Sequence, residues 1–240
     1  MVEAVQVGPA DTVLEIGPGT GSLTAVLTVR AKQVVAVEVD PTLAQELSDR
    51  VPADNLTVIN DDILKTDLTS LPSGYKVVAN IPYYLTSNLL RVLSETTNPP
   101  AAVALLVQRE VAERVAARPG DMSLLSVSAQ FYWRVSLGQV VPATLFIPAP
   151  KVDSQILVLW RRATPLFQDI DAKQYFRVAR AGFSQRRKTL SNALSAGLHL
   201  TKAETDRQLS AAGIRPETRA QALSLEDWYR LTRVLEGKEA

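Results

Sequence analysis

Short apolar runs separated by polar, helix-compatible stretches recur along the first two thirds of the chain. Residues 12–16, 33–38, 56–60, 76–79 and 101–107 read as strands. Each is rich in valine, leucine or isoleucine and is followed by a turn-forming or helix-starting stretch. Strands alternating with helical stretches predict an α/β fold built on a doubly wound, Rossmann-like sheet. Residues 137–141 and 156–160 flank a proline-rich loop and are expected to close the sheet as an antiparallel pair. Residues 124–131 read as a helix, and Tyr132 and Trp133 after it are expected in the core. Past Arg162 the strand signal disappears. Helices are expected near 171–183, 187–197, 201–211 and 224–236, with turns at Gly197 and at 213–216. The division that follows is a Rossmann-like domain over 1–162 and a small all-helical domain over 163–240. Asp40 before Pro41 is a helix-starting pair, and Thr86 or Ser87 is expected to cap a helix over 88–95.

Composition narrows the class. With 240 residues, 46% hydrophobic and 21% charged, the chain is long enough for one large domain or a large and a small one. No apolar run approaches a membrane span and the N-terminus does not read as a signal peptide, so a soluble, cytoplasmic protein without a membrane partner is expected. The absence of cysteine excludes disulfides and thiolate metal sites. The single histidine, His199, has no nearby ligand set and reads as a surface or capping residue, and no metal is expected.

The run 77–79 ends in Asn80-Ile81-Pro82-Tyr83, which suits a specific chemical problem. The exocyclic amine of adenine is a poor nucleophile because its lone pair is delocalised into the ring. The Asn80 side-chain carbonyl and the Ile81 backbone carbonyl, the latter released from a ladder by Pro82, can accept both amine protons while Tyr83 stacks on the base. Such acceptors favour a pyramidal nitrogen over the planar ground state. A strand ending in a proline turn, with Tyr83 packed inside, is the other reading.

The first strand leads into Gly17-Pro18-Gly19-Thr20-Gly21 and a helix-like stretch from Ser22. Glycines there let backbone amides approach a ligand closely. The spacing from Glu15 is E-x-G-x-G-x-G, not the dinucleotide G-x-G-x-x-G, and it suits a nucleoside ligand lacking a pyrophosphate. Glu38, seventeen residues past Gly21, ends the second strand, where a carboxylate can accept ribose hydroxyls. Asp62 follows the third strand. It can accept from an adenine amine of a cofactor or serve only as a loop or capping aspartate.

These residues resemble motifs of the S-adenosylmethionine-dependent ribosomal RNA adenine dimethyltransferases. Residues 108–114 (Q-R-E-V-A-E-R), 146–154 (F-I-P-A-P-K-V-D-S) and 183–190 (F-S-Q-R-R-K-T-L) extend the resemblance over most of the chain. The last favours the small-subunit branch over the antibiotic-resistance branch that acts on large-subunit RNA. Membership implies S-adenosyl-L-methionine as cofactor, held by Glu15, Gly17, Gly19, Gly21, Glu38, Asp62 and Asn80. It implies dimethylation, by Asn80, Ile81, Pro82, Tyr83 and Phe146, of two adjacent adenosines in the 3′-terminal hairpin of small-subunit rRNA. Phe146 would help to hold the flipped base, with simple packing as the other reading. The partner is then small-subunit rRNA or the immature small subunit, approached by a monomer. Family members also carry an upstream Q-N-F-L segment that closes over the site, whereas only Met1 to Asp11 precede the first strand here. Weakened cofactor binding and slow or absent turnover are therefore expected, and a catalytically impaired RNA-binding factor stays open beside the large-subunit alternative.

Net charge is +1, but it is unevenly divided. Residues 1–160 hold 11 basic and 16 acidic side chains, whereas 161–240 hold 15 and 9. Lys173, Arg177 and Arg180 fall at i, i+4 and i+7 on one helical face, and Arg186, Arg187 and Lys188 continue the run. A solvated face is the bland reading. Beside a base-modifying motif, phosphate contact is the expectation, with RNA shape selecting the target.

Overall fold

The computed structural model describes residues 1–164 and 166–238, which form two compact units. Pro165, Glu239 and Ala240, part of the expected helical domain, lie outside the described residues. The first unit comprises residues 1–113 and 133–161. Its strands are β1 (Thr12–Ile16), β2 (Gln33–Glu38), β3 (Leu56–Asn60), β4 (Lys76–Asn80), β5 (Ala102–Gln108), β6 (Trp133–Val141) and β7 (Ser154–Arg161). They form one sheet in the order β3-β2-β1-β4-β5-β7-β6. The first five strands are parallel, and β7 pairs antiparallel with both β5 and β6. Central strands buried on both faces must be apolar throughout, and Val77, Val78 and Ala79 of β4 and 102–107 of β5 are all buried. The edge strand β3 has no fully buried residue: Thr57 and Asn60 are exposed, and Leu56, Val58 and Ile59 are half-buried.

Crossover helices connect the parallel strands. Helix α1 (Ser22–Arg30) follows the glycine loop, and α2 (Pro41–Arg50) starts as expected. The Thr42 and Leu43 amides donate to Asp40 Oδ1, at 2.8 and 3.2 Å, with Pro41 in the first turn. Helix α3 begins two residues earlier than expected, at Thr86, and runs to Glu95. Neither Thr86 nor Ser87 caps it; the Thr86 hydroxyl instead donates to the Tyr83 carbonyl. Helix α4 (Arg109–Val115) carries the chain out of the first unit. Trp133 is fully buried, and its indole N–H donates to Ser94 Oγ at 2.8 Å, which satisfies its one polar group.

The second unit comprises 114–132 and 162–238, so the single cut at residue 162 placed one segment differently. Helix α5 (Leu124–Tyr132) packs here because Phe131 and Tyr132 join an aromatic cluster with Tyr175 and Phe176. Local periodicity shows that a helix is amphipathic, not which core its face enters. Helices α6 (Ala172–Phe183), α7 (Leu190–Leu198), α8 (Lys202–Ala211) and α9 (Leu225–Leu235) complete the unit. Both α8 and α9 open on capping boxes, Thr201 with Glu204 and Ser224 with Asp227. Gly197 sits inside α7 instead of in a turn: a Cβ there would lie 2.8 Å from Ala181 Cβ, so the glycine permits close helix packing. The reversal falls on His199, whose left-handed conformation (φ 58°) ends α7. Among the described residues, no helix is long and apolar enough to cross a membrane.

Candidate active site

Parallel strands bind ligands outside their carboxyl ends, where adjacent connections diverge, and the strand order places that point between β1 and β4. A cavity of about 590 Å³ opens there. Each wall comes from a strand end: Gly17 after β1, Glu38 closing β2, Asp62 after β3, and Asn80 to Leu85 at and beyond the end of β4. Phe146, Pro148 and Pro150, from the loop between β6 and β7, also line it. The structure thus brings Gly17, Glu38, Asp62, Asn80, Ile81, Pro82, Tyr83 and Phe146 to one cavity. Glu15, Gly19 and Gly21 do not line it.

Glu38 is buried and held at both oxygens. The Gly19 amide donates to Oε2 at 3.1 Å and the Asp40 amide to Oε1 at 3.0 Å. Each carboxylate oxygen keeps a further lone pair for a ligand hydroxyl. Gly17 and Gly19 both have positive φ, and a Cβ on either would meet nothing within 4 Å. Gly21 differs, because its Cβ would lie 2.8 Å from Val51 Cγ2 and 2.9 Å from Leu47 Cδ1. Its lack of a side chain serves the packing of α1 on α2.

Asp62 is a turn-capping aspartate that also lies on the cavity lining. Its Oδ1 accepts from the Leu64 amide at 3.0 Å and its carbonyl from the Lys65 and Thr66 amides, so it caps a turn while facing the cavity. Asn80 is exposed, and its side chain has no hydrogen-bond partner among the described residues. The β4–β5 pairing ends at Asn80 opposite Leu106, so Ile81 lies past the last paired position and Pro82 brings no N–H. Tyr83 is half-buried and lines the cavity, and its hydroxyl lies 3.0 Å from Ser154 Oγ.

Glu15 sits behind this surface, 1% exposed, and its Oε2 has no hydrogen-bond partner among the described residues. Burial pushes its carboxyl up to about 7, the neighbouring Thr24 hydroxyl opposes this, and the Glu38 charge adds to it. Sequence reasoning assigned no role to Ser154, nor to Val37, Val39, Ile63 and Leu64, which supply apolar wall. The signal for Ser154 was its place at the end of the 146–154 motif, and for the four apolar residues it was adjacency to the polar strand ends.

The six basic residues marked for RNA lie in the second unit and are exposed. Lys173, Arg177 and Arg180 share one face of α6. Arg186, Arg187 and Lys188 occupy the turn before α7, which starts at Leu190 and not near 187. Among the described residues, no group of three or more metal-ligating side chains converges.

Strand order, glycine loop and cavity together define a Rossmann-like methyltransferase sheet. The sequence matches the family Ribosomal RNA adenine dimethylase over residues 1–236. Ribosomal RNA small subunit methyltransferase A of Dehalococcoides mccartyi (strain CBDB1) is 43% identical over 235 residues, covering 96% of this chain and 81% of that protein. A dimethyladenosine transferase structure from Plasmodium falciparum matches with a TM-score of 0.81 and 27% identity, over 96% of this chain and 91% of that one. The 23S rRNA methyltransferase ErmE matches with a TM-score of 0.76 and 30% identity, over 98% and 95%. The chain belongs to the ribosomal RNA adenine dimethylase family.

Proposed function

We propose that this protein uses S-adenosyl-L-methionine to dimethylate the exocyclic amines of two adjacent adenosines in the 3′-terminal hairpin of small-subunit rRNA. The reading rests on one observation above all: Glu38, Asn80 and Tyr83 line the same cavity. A ribose acceptor, an amine acceptor and an aromatic face therefore serve one space. The relative named for the small subunit supports the choice of RNA.

The residues present fit the cofactor. The space beside Gly17 and Gly19 leaves room for a close backbone approach, the fixed Glu38 carboxylate suits vicinal hydroxyls, and Ile63 and Leu64 offer an apolar surface to a purine. When bound, the cofactor supplies an electrophilic methyl on a sulfonium sulfur. The protein's task is then to orient and polarise the amine. Asn80 Oδ1 and the Ile81 carbonyl accept its two protons, which localises the lone pair on nitrogen, and Tyr83 and Phe146 hold the ring. The exposed cations of α6 and the following turn, Lys173, Arg177, Arg180, Arg186, Arg187 and Lys188, bind phosphate and set the register of the RNA. The protein acts as a monomer in the cytoplasm, on the immature small subunit.

Incubation with tritiated cofactor and separate undermethylated small and large ribosomal subunits tests this. Label in the small-subunit adenosines is expected. Label confined to the large subunit would reassign the substrate, and no label would leave an RNA-binding factor.

A further inference from the structure

A pocket that receives one extruded base leaves the neighbours of that base unstacked at its mouth. What surrounds the mouth here is apolar. Among the described residues, the four most exposed large hydrophobic side chains are Ile147, fully exposed, Tyr84 at 85%, Val29 at 83% and Leu145 at 72%. Three of these four belong to the two segments that line the cavity. Tyr84 itself is on the lining, next to Tyr83, and its hydroxyl has no partner among the described residues. Ile147 lies between Phe146 and Pro148, both on the lining, yet its own side chain is fully exposed.

Charge decides which part of a nucleotide these side chains meet. The cavity lining includes Glu38, Asp61 and Asp62 and no lysine or arginine. Such a mouth repels phosphate, so the flanking nucleotides are held through their faces. Base faces stack on aromatic side chains with little dependence on sequence, and branched apolar side chains can wedge between bases.

Resting on the proposed reaction, we propose that Tyr84 and Ile147 form a stacking rim that holds the nucleobases on either side of the extruded adenosine. Tyr84 carries one neighbouring base on its ring, and Ile147 fills the gap that the extruded base leaves in the stack. The rim acts on RNA affinity and on extrusion. It does not act on the cofactor.

The test is a double-mutant cycle on RNA binding. Wild-type, Tyr84→Ala, Ile147→Ser and the conservative Tyr84→Phe are titrated with a synthetic small-subunit hairpin, intact or with an abasic residue 5′ or 3′ of the target adenosine. Val29→Ser, an exposed apolar change on α1, is the control. Removing a flanking base should weaken wild-type binding about tenfold, as loss of one base–aromatic stack does elsewhere. Tyr84→Ala and Ile147→Ser should bind the intact hairpin about tenfold more weakly and lose sensitivity to one of the abasic sites. Tyr84→Phe should keep that sensitivity, and Val29→Ser should match wild-type throughout. Additive effects, or variants that bind like wild-type, overturn the rim. Wild-type protein that labels no small subunit overturns the proposed reaction itself, a result the binding cycle does not mimic.

Discussion

The Tyr83 hydroxyl lies 3.0 Å from Ser154 Oγ, joining the turn after β4 to the first residue of β7. Ser154 is buried and paired in the sheet with Gln108 and Val141, so it offers a fixed anchor to a ring that is itself only half-buried. A stacking ring held at its far end loses less rotational freedom when a base arrives. Ser154→Ala should therefore slow single-turnover methyl transfer several-fold, about 1 kcal/mol, the net worth of one such hydrogen bond. Tyr83→Phe should match it, and the double variant should be no slower than either. Fully additive losses would show that the two groups act separately.

Asn80 is expected to carry a larger share. Replacing it by alanine removes one acceptor that strengthens as the amine pyramidalises, which costs about 3 kcal/mol of barrier by analogy with other transition-state hydrogen bonds. Because the side chain is exposed and unbonded in the fold, chemical denaturation should show little change in stability. A rate within twofold of wild-type would remove Asn80 from the mechanism.

The glycines should separate by cause. Gly21→Ala meets both a positive φ of 87° and two side chains within 3 Å, and should destabilise the fold by about 2 kcal/mol. Gly17→Ala meets only its φ of 63°, so the stability loss should be nearer about 1 kcal/mol and the main defect should be cofactor affinity. Urea midpoints and equilibrium dialysis distinguish the two.

Glu15 predicts a pH dependence whose sign is fixed. Its folded-state pKa of about 7 lies above the ordinary value of 4.5, so between these pH values the folded chain binds more protons than the unfolded one. Stability therefore falls as pH rises across that window, by about 3 kcal/mol in all, and this contribution is flat above it. Glu15→Gln should remove that fall and be the more stable protein at pH 8. Equal slopes of urea midpoint against pH in both proteins would contradict the assignment.

Arg186 and Arg187 are exposed in the turn before α7, and each is expected to contact one phosphate. Alanine at either should lower RNA affinity and reduce the slope of log affinity against log salt by about 0.7 to 0.9. An unchanged slope would place the residue away from the RNA.

The five parallel strands, the cap at Asp40 and the helical character of the last third were legible because each is written locally, in hydrophobic period, turn residues and caps. The strand ends carrying Glu38, Asp62 and Asn80 were legible for the same reason. A strand's last polar residue is fixed by its own pattern. Helix α5 was recognised as a helix but given to the wrong unit, since an amphipathic stretch does not name its partner. Gly197 was read as a turn because glycine's two uses, a left-handed backbone and close packing, look alike in one dimension. Ser154 had no assigned role, because its hydroxyl matters only through Tyr83, which is 71 residues away in sequence.

By itself the sequence determined the alternation of strands and helices, the chemistry of each strand end and the basic run along α6 and the turn after it. These depend on neighbours within a few residues, where backbone preference and hydrophobic period dominate. Only the tertiary structure decided that the residue closing β2, the turn after β4 and the loop before β7 face one cavity, and that Glu15 is buried behind it while Tyr84 and Ile147 stay exposed beside it. Burial is a property of the folded surroundings, and no stretch of chain carries it alone.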